Sequence, residues 1–404
     1  MKDQQRVLML LARDPVFEQR VYQLSARTLR DAGYKVTIIG PRLRDEPAEQ
    51  VVEGIRIFTY RKLNNPVLRK FHTLATLWIH ALRHPAEIFH VFEVDAPLFA
   101  AAMAKRRLKR MGKEVKLVFD SPEVWSYFYP AQTGFKFLRK WIRNVVVNYE
   151  DWMVQKHVDA VSTAHVLEEA YYQWLNPWLP IRWVVGGPPM DEWPDPPTKT
   201  GGIKLLGHDG YFTLQRGMDV MLRAFEVLAP ELPKLRLLAA GSFMEKRDEV
   251  YFKQWCERTG LGDRVEVLGW VSRDEILPHL DSFDIGMIAN RPDIHSVRCW
   301  PANKMMNYLA RALPVVSTPA PLYRRFIEET GCGAVSSGFD GDSYAEALRP
   351  LIRNYQSTRK MGQRGYEKAA TTYSLEHGRK ALLALYADLD RDLPTEDQAV
   401  ILRD

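Results

Sequence analysis

The first forty residues alternate between apolar and polar stretches in an order that predicts one βαβ unit. The apolar run RVLMLLA is followed by the polar loop RDPVFEQR and by the helical pattern VYQLSARTLRDAGY. That helix is expected to end near Gly33, because glycine suits the residue that follows a helix C-terminus. A second apolar run, KVTIIG, completes the unit.

Further short apolar runs follow, separated by helical patterns: IFHVFEV (88–94), VKLVFD (115–120), AVSTA (160–164) and IRWVVGG (181–187). Strands that are apolar on both faces and joined by helices are typical of a parallel sheet with helices on both sides. We therefore predict an α/β domain over residues 1–190.

A polar, proline-rich break, GGPPMDEWPDPPTKTGG, follows this domain. Its prolines exclude a helix or a central strand, so we interpret 187–201 as a linker. The alternation then restarts over 191–374, with the apolar runs IKLLGHDG, LRLLAAG, RVEVLGWV, DIGMIA and PVVST. In the C-terminal segment 375–404, a last helix over 375–390 is predicted to cross back to the first domain.

This pattern predicts two Rossmann-like, doubly wound α/β domains that face each other across a cleft. Ligands of such folds bind at the carboxyl ends of the strands. A length of 404 residues with 46% hydrophobic content also favours two domains over one core. No stretch approaches the roughly 20 apolar residues of a spanning helix, so we expect a soluble chain.

Cysteine and acidic residues are placed in a way that argues against a metal site. Cys256, Cys299 and Cys332 are scattered without metal-ligand spacing, which favours a reducing compartment. We find no DxD-type cluster on a loop and no His/Cys pair with ligand spacing, so we expect no metal and no cofactor. The expected location is the cytoplasm, with peripheral association at the inner membrane face as an option.

The formal net charge of +6 is modest for this length and does not point to nucleic acid as a partner. Basic residues cluster in AKRRLKRMGKEVK (104–116) and in FKFLRKWIRNVVV (135–147), and the second segment adds aromatic and aliphatic side chains. That composition suits an anionic membrane surface. It equally suits ordinary helices with solvated basic faces, and both interpretations stay open.

The stretch SVRCWPANKMMNYLARALPVVST (296–318) reads as a basic loop that enters an amphipathic helix. Arg298, Lys304 and Asn307 surround the start of this helix. A helix N-terminus presents free N–H groups and about half a positive charge, so cations gathered there favour a phosphate. We therefore predict an anion site at the start of this helix.

Seven stretches occur in a fixed order along both halves of the chain. They are EQRVYQLSARTLRDAGYKVTIIG, IFHVFEVDAPLFAAAMAKR, VKLVFDSPEVWS, GHDGYFTLQRGMDVMLRAF, VEVLGWVSRDEILPHLDSFDIGMI, PANKMMNYLARALPVVST and YSLEHGRKALLALY. Together they resemble the retaining family-4 glycosyltransferases with the GT-B fold, which include glycogen-synthase-like enzymes and capsular and lipopolysaccharide sugar transferases. The resemblance spans most of residues 5–390.

The resemblance implies sugar transfer from a UDP or GDP sugar, with the donor in the C-terminal domain and a glycan or lipid-linked glycan acceptor facing the N-terminal one. By this resemblance Arg216 and Lys304 hold the diphosphate, Gly210 lets the backbone approach the donor, and Gly217 opens the next helix. Fixed cations can stabilise the leaving diphosphate without a metal. Taken singly, Arg216 also fits a solvated arginine and Lys304 a surface lysine.

The nucleoside contacts implied by the resemblance are Val271, Asn303 and Asn307. Val271 would meet the base largely through its backbone, although its side chain also fits a core. Asn307 stands where the family has a glutamate that binds the ribose, and Cys299 stands where many members have another. An amide still donates and accepts hydrogen bonds, so Asn307 keeps the ribose role. On this basis Asn307→Glu is expected to leave donor binding intact or to tighten it.

The first half departs from the family pattern at two places. The family's YDSHE reads FDSPE here, with Pro122 in place of the histidine, and the family's HD pair reads FE. The polar residues that remain near the predicted strand ends are His90, Glu93, Asp95, Asp120 and Glu123. Glu123 and Asp95 are candidates for acceptor contact or for the base, and His90 is a third catalytic candidate. Asp95 and Glu123 fit helix caps equally well.

The leading hypothesis is a glycosyltransferase of cell-surface polysaccharide synthesis. A nucleotide-sugar epimerase or hydrolase on the same fold is the nearest alternative. The missing glutamates and histidine also allow a sugar-nucleotide-binding subunit without turnover. If the donor phosphate acts as the base, the reaction retains the anomeric configuration, whereas a true base at Glu123 would allow inversion.

Overall fold

The computed structural model describes residues 5–43, 46–121, 139–272, 275–291 and 302–389. The chain divides into two compact units, Met1–Gly186 with His377–Asp404, and Gly187–Glu376. Each unit contains one largely parallel sheet with helices between successive strands, which confirms the predicted Rossmann-like α/β fold class. Among the described residues, no helix combines the length and the hydropathy that crossing a bilayer requires.

The sheet of the first unit has eight strands. They are β1 (Arg6–Leu10), β2 (Lys35–Pro41), β3 (Glu49–Val52), β4 (Ile55–Tyr60), β5 (Ile88–Val91), β6 (Lys116–Ser121), β7 (Ala160–Thr163) and β8 (Ile181–Trp183). Their order is β3-β4-β2-β1-β5-β6-β7-β8. All neighbours pair in parallel except β3 and β4, which form an antiparallel hairpin. Four of the five β1 residues are buried, as strands covered on both faces require.

The helices of the first unit cover the faces of this sheet. They are α1 (π-helical over Gln19–Ala26, continuing as Arg27–Asp31), α2 (Pro66–Arg83), α3 (Ala96–Arg110), α4 (Arg139–His157) and α5 (Val166–Leu175). Helix α2 packs against α3, and residues from both join the main apolar core of the unit, together with β1, β5 and β6.

The sheet of the second unit has six strands, all parallel. They are β9 (Leu205–Asp209), β10 (Arg236–Ala240), β11 (Val265–Val267), β12 (Ile285–Ile288), β13 (Val315–Ser317) and β14 (Gly333–Val335). Their order is β11-β10-β9-β12-β13-β14. The first strand of the unit is therefore central, and later strands are added on both sides of it.

The helices of the second unit alternate with these strands. They are α6 (Met218–Leu228), α7 (Lys246–Thr259), α8 (Ile276–Ser282), α9 (Asn303–Ala310), α10 (Pro321–Thr330), α11 (Gly341–Arg353) and α12 (Tyr355–Lys368, continuing as a π-helical turn over Ala369–Tyr373). Short 3₁₀ turns lie at Leu214–Arg216 and Gly262–Arg264. The last helix, α13, spans Leu375–Asp388 and packs in the first unit through the buried Tyr386.

Two local features differ from the sequence prediction. The hairpin β3–β4 is not predicted from the apolar pattern, because β3 alternates between exposed and half-buried residues. Its turn uses Glu53 and Gly54 at φ 50° and 80°, a conformation typical of tight hairpins. The strand predicted over 88–94 ends at Val91, so Glu93 and Asp95 lie in the turn that leads into α3.

Candidate active site

The second unit has a topological switch point at β9. This strand pairs with β10 on one side and with β12 on the other, so the chain reverses its direction across the sheet there. Ligands of doubly wound sheets bind outside the carboxyl ends of the strands at such a point. Asp209 is the last residue of β9, and Gly210 begins the loop that follows.

Three glycines shape the backbone around this switch point. Gly210 has a φ of 96°, and a Cβ on Gly241, which follows β10, would lie only 1.9 Å from the Gly210 oxygen. Gly217 has a φ of 79°, and a Cβ there would lie 1.9 Å from the carbonyl oxygen of Ala289. Side chains at Gly241 and Gly217 would therefore push apart the loops that follow β9, β10 and β12, whereas Gly210 is required by its positive φ.

Arg216 ends the 3₁₀ turn that precedes α6. The Thr213 side chain accepts a hydrogen bond from the Arg216 N–H (3.2 Å), and Gly217 then lets the chain turn into the helix. The Arg216 side chain is exposed. This turn holds a cation at the same edge of the sheet as Asp209.

Lys304 is the second residue of α9 and lies inside the unit. Only 9% of the residue is exposed, so the interpretation as a surface lysine is wrong. Its Nζ makes no hydrogen bond to any described residue. Burial and the charge of Arg216 lower the pKa of Lys304 to about 7, and Asp209 partly opposes this shift. A buried amine without a hydrogen-bond partner in the described part of the chain therefore lies close enough to the Arg216 guanidinium for the two charges to interact.

Asp209 and Asn307 form a pair across the site. The Asn307 Nδ2 donates a hydrogen bond to Asp209 Oδ2 (2.9 Å), and the Asp209 N–H donates to the Tyr308 hydroxyl (2.7 Å). Asp209 is absent from the predicted site residues. Its position before a glycine at the end of the first strand of the domain is the signal that would have found it.

His208 precedes Asp209 in β9 and has a structural role. Its ring nitrogens face the carbonyl oxygens of Met287 (3.3 Å) and Tyr211 (3.2 Å). Burial, followed by the charge of Lys304, lowers the pKa of His208 well below its usual value. The ring is therefore neutral and bridges β9, β12 and the loop after β9.

Among the described residues, neither Asn303 nor Val271 makes a side-chain hydrogen bond to this cluster. Asn303 is the exposed first residue of α9, and Val271 is half-buried after Gly269 and the exposed Trp270. The Trp270 ring lies 6.3 Å from the ring of Tyr211, so these two loops meet through aromatic side chains.

In the first unit, His90 is fully buried in β5. Its Nδ1 is 2.9 Å from the Tyr386 hydroxyl, and its Nε2 is 3.7 Å from Asp120 Oδ2. Burial raises the pKa of Asp120, but the Arg20 guanidinium (2.7 Å) and the nearby His90 ring outweigh this effect, so the pKa lies below its usual value. His90 and Asp120 thus belong to an interior polar network.

Glu93 and Asp95 lie after β5, beside the loop after β1. The buried Glu93 carboxylate accepts hydrogen bonds from the N–H groups of Ala12 (3.0 Å) and Arg13 (2.8 Å). Burial, with a contribution from Asp14, raises the pKa of Glu93 to about 8. Asp95 accepts a hydrogen bond from Arg13 Nη2 (2.6 Å), and its side chain does not cap α3, although it stands at the capping position.

Several predicted positions lie outside the described residues: Pro122, Glu123, Arg298, Cys299 and the beginning of the basic segment 135–147. Within the described ranges, no group of histidine, cysteine and acidic residues has the geometry to hold a metal ion.

Known proteins resemble this chain in both sequence and fold. Residues 190–368, which lie within the second unit, match the family model described as Glycosyl transferases group 1. No curated protein matches the chain. The family match covers most of the second unit.

Solved structures extend the likeness to both units. Sucrose-phosphate synthase from Thermosynechococcus elongatus has a TM-score of 0.71 at 15% identity, covering 95% of this chain and 99% of that one. HepE from Anabaena in complex with UDP-glucose has a TM-score of 0.68 at 11% identity, with 95% and 100% covered. WaaG, a glycosyltransferase involved in lipopolysaccharide biosynthesis, has a TM-score of 0.65 at 16% identity, with 94% and 99% covered. The likeness supports the GT-B fold class.

Proposed function

We propose that the chain transfers a sugar from a nucleoside diphosphate sugar to an acceptor hydroxyl, with the second unit binding the donor and the first unit the acceptor. The observation that carries the proposal is Lys304, whose buried Nζ has no partner among the described residues. A buried ammonium without a counter-charge is unfavourable. A diphosphate would supply both the negative charge and the acceptor oxygens, and Arg216 would share it.

In the proposed reaction, the bond between the anomeric carbon and the diphosphate oxygen breaks, and its electron pair stays on that oxygen. The acceptor oxygen forms the new bond to the anomeric carbon, and its proton passes to the leaving diphosphate, which acts as the base in the retaining mechanism that the resemblance implies. Because the leaving diphosphate gains negative charge, cations at Lys304 and Arg216 stabilise the transition state more than the bound donor. Retention of the anomeric configuration is inferred from the family resemblance, and the anomeric signal in the NMR spectrum of the product tests it.

The proposed donor is a UDP sugar. UDP-glucose is the ligand of the HepE structure, which shares the fold. We assign the ribose to the Asp209–Asn307 pair: Asp209 supplies the carboxylate that Asn307 lacks, and the hydrogen bond between them orients both side chains. Val271 and Asn303 are the remaining candidates for nucleoside contact.

The proposed acceptor is a glycan or lipid-linked glycan of the cell surface, used at the cytoplasmic side of a membrane. The role of WaaG in lipopolysaccharide biosynthesis supports this class by likeness of fold. Asp95, through its place after β5, and Glu123 are the candidates for acceptor contact. His90 is buried, so we assign it a positioning role through Asp120. The segment 135–147 is a candidate for contact with anionic lipid.

The first experiment is thermal denaturation of the purified chain with UDP, GDP, ADP, CMP or dTDP. A nucleotide at ~100 times its Kd should add about 2.7 kcal/mol of stability. We expect the largest shift with UDP, and we expect Lys304→Met to abolish it. Arg223→Met is the matched control, because Arg223 is an exposed cation of α6 that pairs with Asp342. The absence of a shift with every nucleotide, or a full shift in Lys304→Met, would contradict the donor site.

The second experiment separates transfer from its alternatives. The chain is incubated with the sugar nucleotide that binds, with and without a membrane glycan extract. Release of UDP only with the extract indicates transfer. Free sugar without the extract indicates hydrolysis, and an isomerised sugar nucleotide indicates epimerisation. Binding without any turnover would identify a non-catalytic subunit.

A further inference from the structure

The segment that enters α2 exposes an unusual combination of side chains. Residues 61–71, RKLNNPVLRKF, which we call the α2 start, carry four exposed large apolar side chains: Leu63, Val67, Leu68 and Phe71, at 39%, 62%, 58% and 69% exposure. The same segment carries four exposed cations, Arg61, Lys62, Arg69 and Lys70, and no acidic residue. Neighbouring exposed apolar side chains of this size mark interaction surfaces.

The α2 start includes a capped helix N-terminus. Asn65 caps the helix, because its side-chain oxygen accepts hydrogen bonds from the N–H groups of Val67 (3.0 Å) and Leu68 (3.1 Å). Later in the same helix, Leu77 and Ala81 are buried in the core of the first unit. The apolar side chains of the first turns are thus held outward on a helix that is anchored at its other end.

The charge of the α2 start is not compensated locally. Arg61, Arg69 and Lys70 form no ion pair with a described carboxylate, and the N-terminal end of the helix adds a partial positive charge. Apolar side chains interleaved with cations match a bilayer interface, where the apolar groups enter below anionic headgroups that the cations contact. A soluble anionic polymer would match the cations but would leave the apolar side chains in water.

We infer that the α2 start docks the first unit onto an anionic membrane surface. In the sequence, the α2 start is a different segment from 135–147. It also adjoins the candidate acceptor edge, because Lys62 Nζ donates a hydrogen bond to the Arg13 carbonyl (3.1 Å) and Arg13 pairs with Asp95 (2.6 Å). The docking does not depend on the proposed function. Its consequence, that a lipid-linked acceptor would reach Asp95, rests on the proposed function.

The test is co-sedimentation of the full chain with phosphatidylcholine vesicles that contain or lack phosphatidylglycerol, without nucleotide. We expect binding only to the anionic vesicles, and weaker binding as salt rises. Arg69→Gln with Lys70→Gln should weaken the partition about 30-fold, at about 1 kcal/mol for each cation. Leu68→Ser with Phe71→Ser, which keeps the charge, should weaken it at least about tenfold.

Two control variants make the result specific. Arg324→Gln with Arg325→Gln removes an adjacent pair of exposed cations from α10 and should leave vesicle binding unchanged. Arg139→Gln with Lys140→Gln and Arg143→Gln tests the segment 135–147. The inference is overturned if the α2 variants, with unchanged melting temperatures, bind like the parent chain, or if the parent chain binds a soluble anionic polysaccharide and no vesicle. Thermal shifts with UDP should be the same in all these variants, so failure of docking is distinguishable from failure of the donor site.

Discussion

The two units place different charged side chains after the carboxyl ends of their central strands. After β9, the second unit gathers the cations Arg216 and Lys304, and the Lys304 amine has no hydrogen-bond partner among the described residues. After β5, the first unit gathers the carboxylates Glu93 and Asp95, which accept hydrogen bonds from backbone N–H groups and from Arg13. The second unit's edge thus leaves a buried amine without a hydrogen-bond partner among the described residues, although the charge of Asp209 acts on it. At the first unit's edge, Glu93 and Asp95 both accept hydrogen bonds.

This difference indicates which edge depends on its ligand. A buried cation is stable only with a counter-charge, so the second unit is suited to a ligand that brings several negative charges. An acceptor hydroxyl is neutral and needs only a hydrogen-bond acceptor nearby. We therefore expect substitutions in the second unit to change binding and turnover strongly, and substitutions at the buried acid of the first unit to change them little.

The largest effect on turnover is expected from removing either of the two cations in the second unit. Lys304→Ala and Arg216→Ala should each cost roughly 2 to 4 kcal/mol of transition-state stabilisation, because each removes a fixed positive charge from the leaving group. Rates of UDP release with saturating acceptor measure this cost. Arg223→Ala serves as the control, since it removes an exposed cation of α6 from outside the site. Near-normal turnover in both site variants would mean that the diphosphate binds elsewhere.

A smaller effect, on nucleotide affinity, is expected from substitutions at the Asp209–Asn307 pair. The sequence alone predicts that Asn307→Glu keeps or tightens donor binding, and the structure predicts the reverse. Asn307→Glu would put a second carboxylate next to Asp209, which now accepts a hydrogen bond from Asn307 (2.9 Å). Two adjacent carboxylates repel each other, so we expect nucleotide affinity to fall about tenfold or more instead of rising. Titration calorimetry with UDP measures this change.

A charge swap at the same pair provides the matched test. Asp209→Asn should weaken UDP binding, and Asn307→Asp should do so through repulsion. The double variant Asp209→Asn with Asn307→Asp restores one carboxylate and one amide in exchanged positions, so it should regain much of the affinity. If Asn307→Glu instead tightens binding, the pair does not act as a unit, and Asn307 contacts the ribose alone.

These residues also show what the sequence could and could not predict. The parallel sheets follow from apolar runs joined by helical patterns, because that pattern depends on local spacing. The Asp209–Asn307 pair joins residues 98 positions apart, so no local pattern reveals it. The burial of Lys304 depends on the packing of α9 against its sheet, whereas the sequence shows only a lysine near a helix start.

The lowered pKa of Lys304 predicts that stability rises with pH whereas donor affinity falls. Above about pH 7 the folded, ligand-free chain holds a neutral amine, whereas the unfolded chain stays protonated up to about pH 10.5. The unfolded state then binds more protons, so the free energy of unfolding should rise with pH in this window. Donor binding requires the ammonium, so affinity should fall over the same range.

Calorimetry in buffers of different ionisation enthalpy tests this prediction, with a sugar nucleotide whose diphosphate exchanges no proton in this range. We expect proton uptake on binding at about pH 8. Lys304→Arg keeps its charge throughout, so binding to this variant should lose both the proton uptake and the pH dependence. An affinity of the parent chain that is constant from about pH 7 to about pH 9 would show that the amine is charged before the donor arrives.

The smallest effect on nucleotide binding and turnover is expected from Glu93→Gln in the first unit. Glu93 Oε1 alone lies within reach of the N–H groups of Ala12 (3.2 Å), Arg13 (2.8 Å) and Asp14 (3.4 Å), so the amide oxygen of glutamine can keep the loop after β1 in place.

The folded pKa of Glu93, about 8, lies above the ordinary value of 4.5, so between these values the folded chain binds the extra proton. The stability of the parent chain should therefore decline as pH rises through this window, and the variant should lack that decline. Urea denaturation of both chains from about pH 5 to about pH 8 should show the variant gaining on the parent by about 1.4 kcal/mol for each pH unit. A difference that does not change with pH would mean that Glu93 is ionised throughout and that its hydrogen bonds to the loop outweigh its burial.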